Sequence, residues 1–197
     1  MTKMTDFPLL LETISIESGE ALHLNYHNAR FNRTREELFG LGEDFDLAKV
    51  IEAPDKNNYR CRLLYDQTIH SIEYIPYQAK SIKKIKVVHS DIEYNYKYAD
   101  RTKLNELLEE NSQSDEVLII KNGLVTDTTI ANIAFLQRGV WITPKMPLLA
   151  GTTRQRLIDT GFLRPIEIKY REIPHFDGVA LMNAMVGFKI ITPTWVQ

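Results

Sequence analysis

The stretch DEVLIIKNGLVTDTTIANIAFLQRGVWITP, residues 115–144, decides the fold. Apolar and β-branched residues fill it in short runs, and two dipeptides interrupt it, Asn122-Gly123 and Arg138-Gly139. Both are strong signals for tight hairpin turns, because such turns need residues that tolerate positive φ. The stretch is therefore read as three strands joined by hairpins, the centre of an antiparallel region. Upstream, SIKKIKVVHSD (81–91) predicts another strand, and an amphipathic run from about Asp100 to Glu110 predicts a helix closed by the polar residues NSQSD. Downstream, GTTRQRLIDTG (151–161) predicts a short helix with Gly151 and Thr152 at its head and Gly161 at its tail. The remainder, from IEIKYREIPHFDG onward, returns to strands.

The first half reads the same way. LLLETISIESGEALHL (9–24) contains two strand-like runs around the turn signal ESGE, and NYHNARFNRTREELFGLG (25–42) places Tyr26, Ala29, Phe31 and Leu38 on one broad helical face, with Gly40 and Gly42 as stop signals. YRCRLLYDQTIHSIEYIPY (59–77) predicts two strands about Asp66 and Gln67, ending at Pro76. PYQAK has the character of a connection. The pattern predicts an α+β chain of two domains, a small N-terminal one over residues 1–76 and a larger one over residues 80–197 that carries Lys97.

Composition narrows the function. The chain has 197 residues, 44% of them hydrophobic, as in ordinary globular proteins. Its 24 basic and 26 acidic residues leave no positive excess for a phosphate backbone or an anionic membrane, so neither nucleic acid nor membrane is expected as a partner. The first residues, MTKMTDFPLLLETIS, hold too short an apolar patch for a signal-peptide core, which predicts a cytoplasmic protein. The single cysteine, Cys61, sits in an alternating strand pattern and reads as a buried structural thiol. The five histidines show neither HExxH spacing nor pairing with cysteine, so no metal site is expected. The glycine patterns of dinucleotide sites, phosphate loops and serine hydrolases do not occur.

Three local features carry chemical potential, each with a plain structural alternative. AGTTRQRL offers backbone N–H groups and two hydroxyls at a helix start, which suits a phosphate and equally an ordinary N-cap. Asp127 follows a strand among threonines, as a cofactor ligand or a turn carboxylate. Lys97, in DIEYNYKYADR (91–101), is a nucleophile or an exposed strand lysine.

Taken in order, these segments resemble the class IV aminotransferase family of pyridoxal-phosphate enzymes, which includes branched-chain and D-amino-acid aminotransferases and 4-amino-4-deoxychorismate lyase. LLLETISIESGEALHLNYHNARFNRTREELFG is similar to the family's opening Glu-Thr strand, turn and His-x-x-Arg helix, here His27 to Arg30. YKYADRTKLNEL resembles the segment that begins with the Schiff-base lysine, and its Lys-x-x-Asp-Arg is closer to the lyase branch's Lys-x-x-Asn-Arg. NGLVTDTTIANIAF resembles the V-x-E strand, TPKMPLLAGTTRQRLI the TP-x-x-x-x-LPGITRQ-x-x-I segment, and ALMNAMVGFKIITPTWV the lyase's closing Asn-Ala-Leu segment. The likeness runs from about Leu11 to Pro193.

The resemblance implies a fold-type IV enzyme like D-amino-acid aminotransferase, with pyridoxal 5'-phosphate held at an active site between two domains, and a homodimer. It implies Lys97 as the catalytic lysine, Arg30 as the phosphate arginine, Asp127 opposite the pyridine nitrogen, Thr152 and Thr153 at the phosphate, and Asn183 and Ala184 beside the cofactor. Arg101 and Arg154 are open as substrate-carboxylate ligands or as solvated helix arginines. Two departures stand out: Asp127 is one methylene shorter than the family's usual glutamate, and the sequence begins almost at its Glu-Thr strand. The leading expectation is a lyase forming 4-aminobenzoate and pyruvate from 4-amino-4-deoxychorismate in folate synthesis. An aminotransferase acting on branched-chain or D-amino acids is the alternative, and a cofactor-binding homologue without turnover is a third.

Overall fold

The structure is a computed structural model that describes residues 7–196; the opening residues 1–6 of the expected first domain and Gln197 lie outside the described residues. The chain divides into two compact units.

The first unit opens with strand β1 (Leu10–Glu17), which turns through Ser18 and Gly19, at φ 53° and 86°, into the two-residue β2 (Glu20–Ala21). Helix α1 (Leu24–Phe39) follows, burying His27, Arg30, Phe31 and Thr34. These positions share one face by the three- and four-residue spacing of a helix. Gly40 ends it in the left-handed region at φ 70°, where its N–H returns to the Glu36 carbonyl and that of Leu41 to Arg35. Strands β3 (Tyr59–Tyr65) and β4 (Ile69–Pro76) complete an antiparallel sheet in the order β2-β1-β3-β4. Leu10, Ile14 and Ile16 of β1, Cys61, Leu63 and Tyr65 of β3, and Phe31 and Leu47 form its core.

The segment Tyr96–Asp100 also belongs to this first unit. The Leu11 N–H donates to the Lys97 carbonyl and the Ala99 N–H to the Leu9 carbonyl, both at 2.8 Å. Leu10 and Tyr98 form an antiparallel bridge, along the part of β1 that the short β2 does not reach. Tyr96 and Tyr98 pack against the core. This differs from the sequence expectation, which assigned Lys97 to the second domain. This pairing satisfies backbone polar groups on the edge of β1 that β2 does not reach.

The second unit comprises Ala79–Asn95 and the chain from Arg101 onward. Its elements are β5 (Lys84–His89), α2 (Thr102–Glu109), β6 (Glu116–Lys121), β7 (Leu124–Thr128), β8 (Asn132–Gln137), β9 (Val140–Pro144), α3 (Thr152–Asp159), β10 (Leu163–Ile166), β11 (Gly178–Asn183), β12 (Gly187–Ile191) and β13 (Thr194–Val196). The sheet runs β10-β9-β8-β7-β6-β5-β13, with β11 on β8 and β12 on β11. It is mixed: β5 is parallel to both β6 and β13, and β9 is parallel to β10. Asn122-Gly123 and Arg138-Gly139 have φ of 51° and 77°, and 50° and 79°, the paired positive values of a tight hairpin turn.

Residues 115–144 form four strands, not the expected three. The extra break at Thr129–Ala131 has no Gly, Asn or Pro to announce it. It is closed instead by Thr128, whose N–H and hydroxyl donate to the Ala131 carbonyl while its oxygen accepts from the Ala131 N–H. Tyr170–His175 is likewise a 3-10 turn within a region expected to be strands, started by the Lys169 N–H donating to Glu172. Strands β8 and β11 are buried on both faces. Ile133, Phe135, Val179 and Leu181 enter one core with Leu118, Ile120 and Ile142, while Ala134, Ala180 and Met182 pack on the other side with Leu163. Continuous apolar runs in these strands follow from that double burial.

Candidate active site

In the first unit, Glu12 lies fully buried on β1. His27 and Arg30, one turn apart on α1, both reach it. Arg30 donates from Nε to Oε1 at 2.8 Å and from one terminal nitrogen to Oε2 at 2.6 Å, and His27 Nδ1 lies 2.6 Å from Oε2. Burial alone would push the Glu12 pKa up; the Arg30 charge and the bonds from His27 and Arg30 outweigh it and hold the carboxyl down at about 2. Burial pulls the His27 pKa below its ordinary value, assisted by the charges of Arg30 and Lys97 and opposed by Glu12. A neutral His27 donating from Nδ1 to a carboxylate fits both directions. Lys97 thus stands close enough for its charge to act on His27, and its backbone is pinned to β1 beside Glu12.

The second unit contributes a carboxylate and a helix start. Asp127, on β7, is 4% exposed. Asn132 Nδ2 donates to its Oδ1 at 2.8 Å and the Leu149 N–H to its Oδ2 at 2.9 Å. Burial raises the Asp127 pKa to about 6, against these two bonds and the Arg154 charge. Thr152 and Thr153, both buried, open α3 after the extended Gly151. Neither hydroxyl makes a side-chain hydrogen bond among the described residues, leaving two donors beside the unpaired N–H groups of the first turn.

Asn183 ends β11, and its Oδ1 accepts from the Met185 and Val186 N–H groups at 2.9 and 3.0 Å, which shapes the turn containing Ala184. Its amide donates to the Ile130 carbonyl at 3.2 Å, tying that turn to the one after Asp127. The Thr129 carbonyl accepts from Arg101 at 2.7 Å. Arg154 is buried, donates to the Pro144 carbonyl at 2.8 Å, and has a buried Nε with no partner. Neither arginine is a freely solvated one.

Two residues were not singled out in the sequence. Asn132 stands five positions beyond Asp127, and only the hairpin-like return of the chain brings the two side by side. Glu116, fully buried at the start of β6, accepts at Oε1 from the Val117 N–H, the Thr129 N–H and the Thr129 hydroxyl, the last at 2.5 Å. No local pattern marks it. Among the described residues no group of three or more His, Cys, Asp or Glu side chains is arranged to hold a metal ion, and no helix is long and apolar enough to cross a membrane.

This ordered set of elements carries a family signature: residues 9–192 match the amino-transferase class IV family, and the chain belongs to that family. An uncharacterised protein of Haemophilus influenzae is 38% identical over 184 residues, covering 90% of this chain and 98% of its own. The crystal structure of a candidate 4-amino-4-deoxychorismate lyase from Haemophilus somnus is 37% identical and superimposes with a TM-score of 0.84 over 93% of this chain and 99% of that one. An aminotransferase of Brucella abortus, solved with pyridoxal phosphate, shares the fold at 20% identity and a TM-score of 0.73, covering 96% of this chain and 81% of that one. The α+β architecture is that of the fold-type IV enzymes.

The residues present fit a pyridoxal-phosphate group on their own chemistry. In the second unit a short helix starts with two buried hydroxyls and a buried carboxylate is held by two hydrogen bonds, and in the first unit a lysine lies on a backbone pinned to β1.

Proposed function

We propose that the protein is a pyridoxal-phosphate-dependent lyase that converts 4-amino-4-deoxychorismate to 4-aminobenzoate and pyruvate, a step of folate synthesis. The observation that carries this reading is the match to the Haemophilus somnus candidate lyase, which extends over 99% of that chain at 37% identity. The Lys97-x-x-Asp100-Arg101 spacing supports it.

The cofactor supplies an electron sink for charge that develops at the carbon bearing the substrate amine. The chain's own residues do the rest. Lys97 would hold the cofactor, and its amine would take the proton from the amine-bearing ring carbon of the substrate. That electron pair moves into the ring as the neighbouring carbon–oxygen bond breaks, so the ring becomes aromatic and the enolpyruvyl group leaves to take up a proton as pyruvate. A neutral amine is needed for both tasks, and a lysine at its usual pKa of ~10.4 would be charged until its surroundings or a base take the proton. Asp127, as its carboxylate, would supply the counter-charge for a protonated pyridine nitrogen, an attraction that would itself favour the ionised form against burial. Thr152, Thr153 and the first N–H groups of α3 would receive the phosphate, Arg30 would supply a guanidinium to it, and Asn183 and Ala184 would line the cofactor. The active protein is a cytoplasmic homodimer acting on a small-molecule substrate.

Incubating the purified protein, loaded with pyridoxal phosphate, with 4-amino-4-deoxychorismate and separating the products by chromatography tests this. Equal amounts of 4-aminobenzoate and pyruvate are expected. No 4-aminobenzoate, together with an amino acid that converts the bound cofactor to its amine form, would replace the lyase with an aminotransferase.

A further inference from the structure

Strands β7 and β8 pair at one point, Asp127 opposite Asn132, and this pair joins the β5–β7 part of the sheet to the β8–β12 part. The side chain of Asn132, 6% exposed, repeats the connection. Its amide nitrogen donates to Asp127 Oδ1 at 2.8 Å and to the Leu149 carbonyl at 2.9 Å, which uses both of its hydrogens. Leu149 in turn donates its N–H to the other oxygen of Asp127 at 2.9 Å, closing a ring of three residues. The carbonyl oxygen of Asn132 points the opposite way and lies against Gly151, so close that a Cβ on that glycine would stand 1.9 Å from it. Gly151 is the residue from which α3 starts, its carbonyl accepting the Gln155 N–H at 2.9 Å.

We infer that Asn132 is a positioning residue that fixes the Asp127 carboxylate at a set distance from the head of α3, and so sets the spacing of the two ends that a phosphorylated pyridine ring would span. The inference rests on the cofactor reading above. A planar primary amide suits the place for three reasons. Its two donors serve a carboxylate and a carbonyl at once. It is neutral, where an aspartate would repel Asp127. Its oxygen occupies the space that only a glycine at 151 leaves open. Glycine at 151 is thereby explained by the neighbouring side chain and not by backbone conformation, since Gly151 has an ordinary extended φ of −71°.

The test is a double-mutant cycle of Asn132→Ala and Gly151→Ala, read by apoprotein unfolding midpoint and by binding of two probes, pyridoxal 5'-phosphate and inorganic phosphate. Asn132→Ala should weaken pyridoxal-phosphate binding by roughly tenfold or more, as expected for loss of a hydrogen bond to a charged group, while inorganic phosphate, which needs only the helix head, binds as before. Gly151→Ala should lower the unfolding midpoint in the wild-type background and change it little beside Asn132→Ala, because the clash is gone. The inference is overturned if Asn132→Ala binds pyridoxal phosphate as tightly as wild type, if it loses both probes in parallel, or if the two substitutions simply add. A wild-type protein that takes up no pyridoxal phosphate would instead refute the cofactor reading, and with it this role.

Discussion

Replacing Glu12 by Gln isolates the buried charge cluster of the first unit. The carboxylate is 0% exposed and receives two hydrogen bonds from Arg30, at 2.8 and 2.6 Å, and one from His27 at 2.6 Å. An amide of the same shape leaves the Arg30 cation buried without its counter-charge, a change that costs ~3–5 kcal/mol in buried ion pairs. The depressed pKa of Glu12 expresses the same interaction in another form. Lowering the Glu12 pKa from 4.5 to about 2 means the folded state favours its ionised form. That stabilisation is complete above pH 4.5 and is lost as pH falls toward 2; integrated, it is on the order of 3 kcal/mol. Against the ~5–15 kcal/mol typical of a domain the effect is large. Urea unfolding of wild type and Glu12→Gln, followed by far-UV circular dichroism from pH 7 to pH 2.5, measures it. The wild-type advantage should be about 3 kcal/mol at pH 7 and should shrink to about 1 kcal/mol by pH 2.5, vanishing only below the folded-state pKa of about 2, where Glu12 is protonated and resembles the amide. A variant as stable as wild type at pH 7, or a gap that does not change with pH, would refute the reasoning.

Two further outcomes follow from buried groups. Cys61 is fully buried and burial pushes its thiol up to about 11, so native protein should resist a disulfide thiol reagent and label at one equivalent only when unfolded in guanidinium; rapid labelling of native protein would contradict this placement. Glu116 is raised in pKa by burial and has one oxygen without a partner, so its ionised form is penalised and its contribution to stability falls as pH rises through and above 4.5. Glu116→Gln keeps an acceptor for Thr129 and should be milder at pH 7 than Glu116→Ala, which orphans the Thr129 donors at a cost of ~1–3 kcal/mol; equal losses in urea unfolding would show that the acceptor is not what matters.

The parts of the fold visible in the sequence were those encoded by neighbours in the chain. Asn122-Gly123 and Arg138-Gly139 announce their turns because the left-handed backbone they adopt is costly for most other residues. Gly40 announces the end of α1 for the same reason. The break after Asp127 stayed hidden because Thr128 and Thr129 favour strands on their own; the turn depends on the Thr128 hydroxyl and on Glu116, twelve or more positions away. The pairing of Lys97 with β1 was not legible because it joins residues far apart in sequence, and nothing in YKYADR indicates where an unpaired strand edge will be. At the candidate site, the ordered motifs drew attention to Arg30, Lys97, Asp127 and the α3 head. They did not reveal that Arg30 holds Glu12, that Arg154 is buried, or that Asn132 links Asp127 to Leu149, since side-chain partners across a sheet follow from three-dimensional register alone.

The central claim is that Lys97 is the residue through which this member of the class IV aminotransferase family carries pyridoxal phosphate. Adding the cofactor to purified protein, reducing with borohydride, digesting and mapping the modified peptide by mass spectrometry tests it directly. The account predicts one phosphopyridoxyl group per chain, on Lys97, and none in Lys97→Ala. A label on another lysine, or a protein that retains no cofactor, would contradict it.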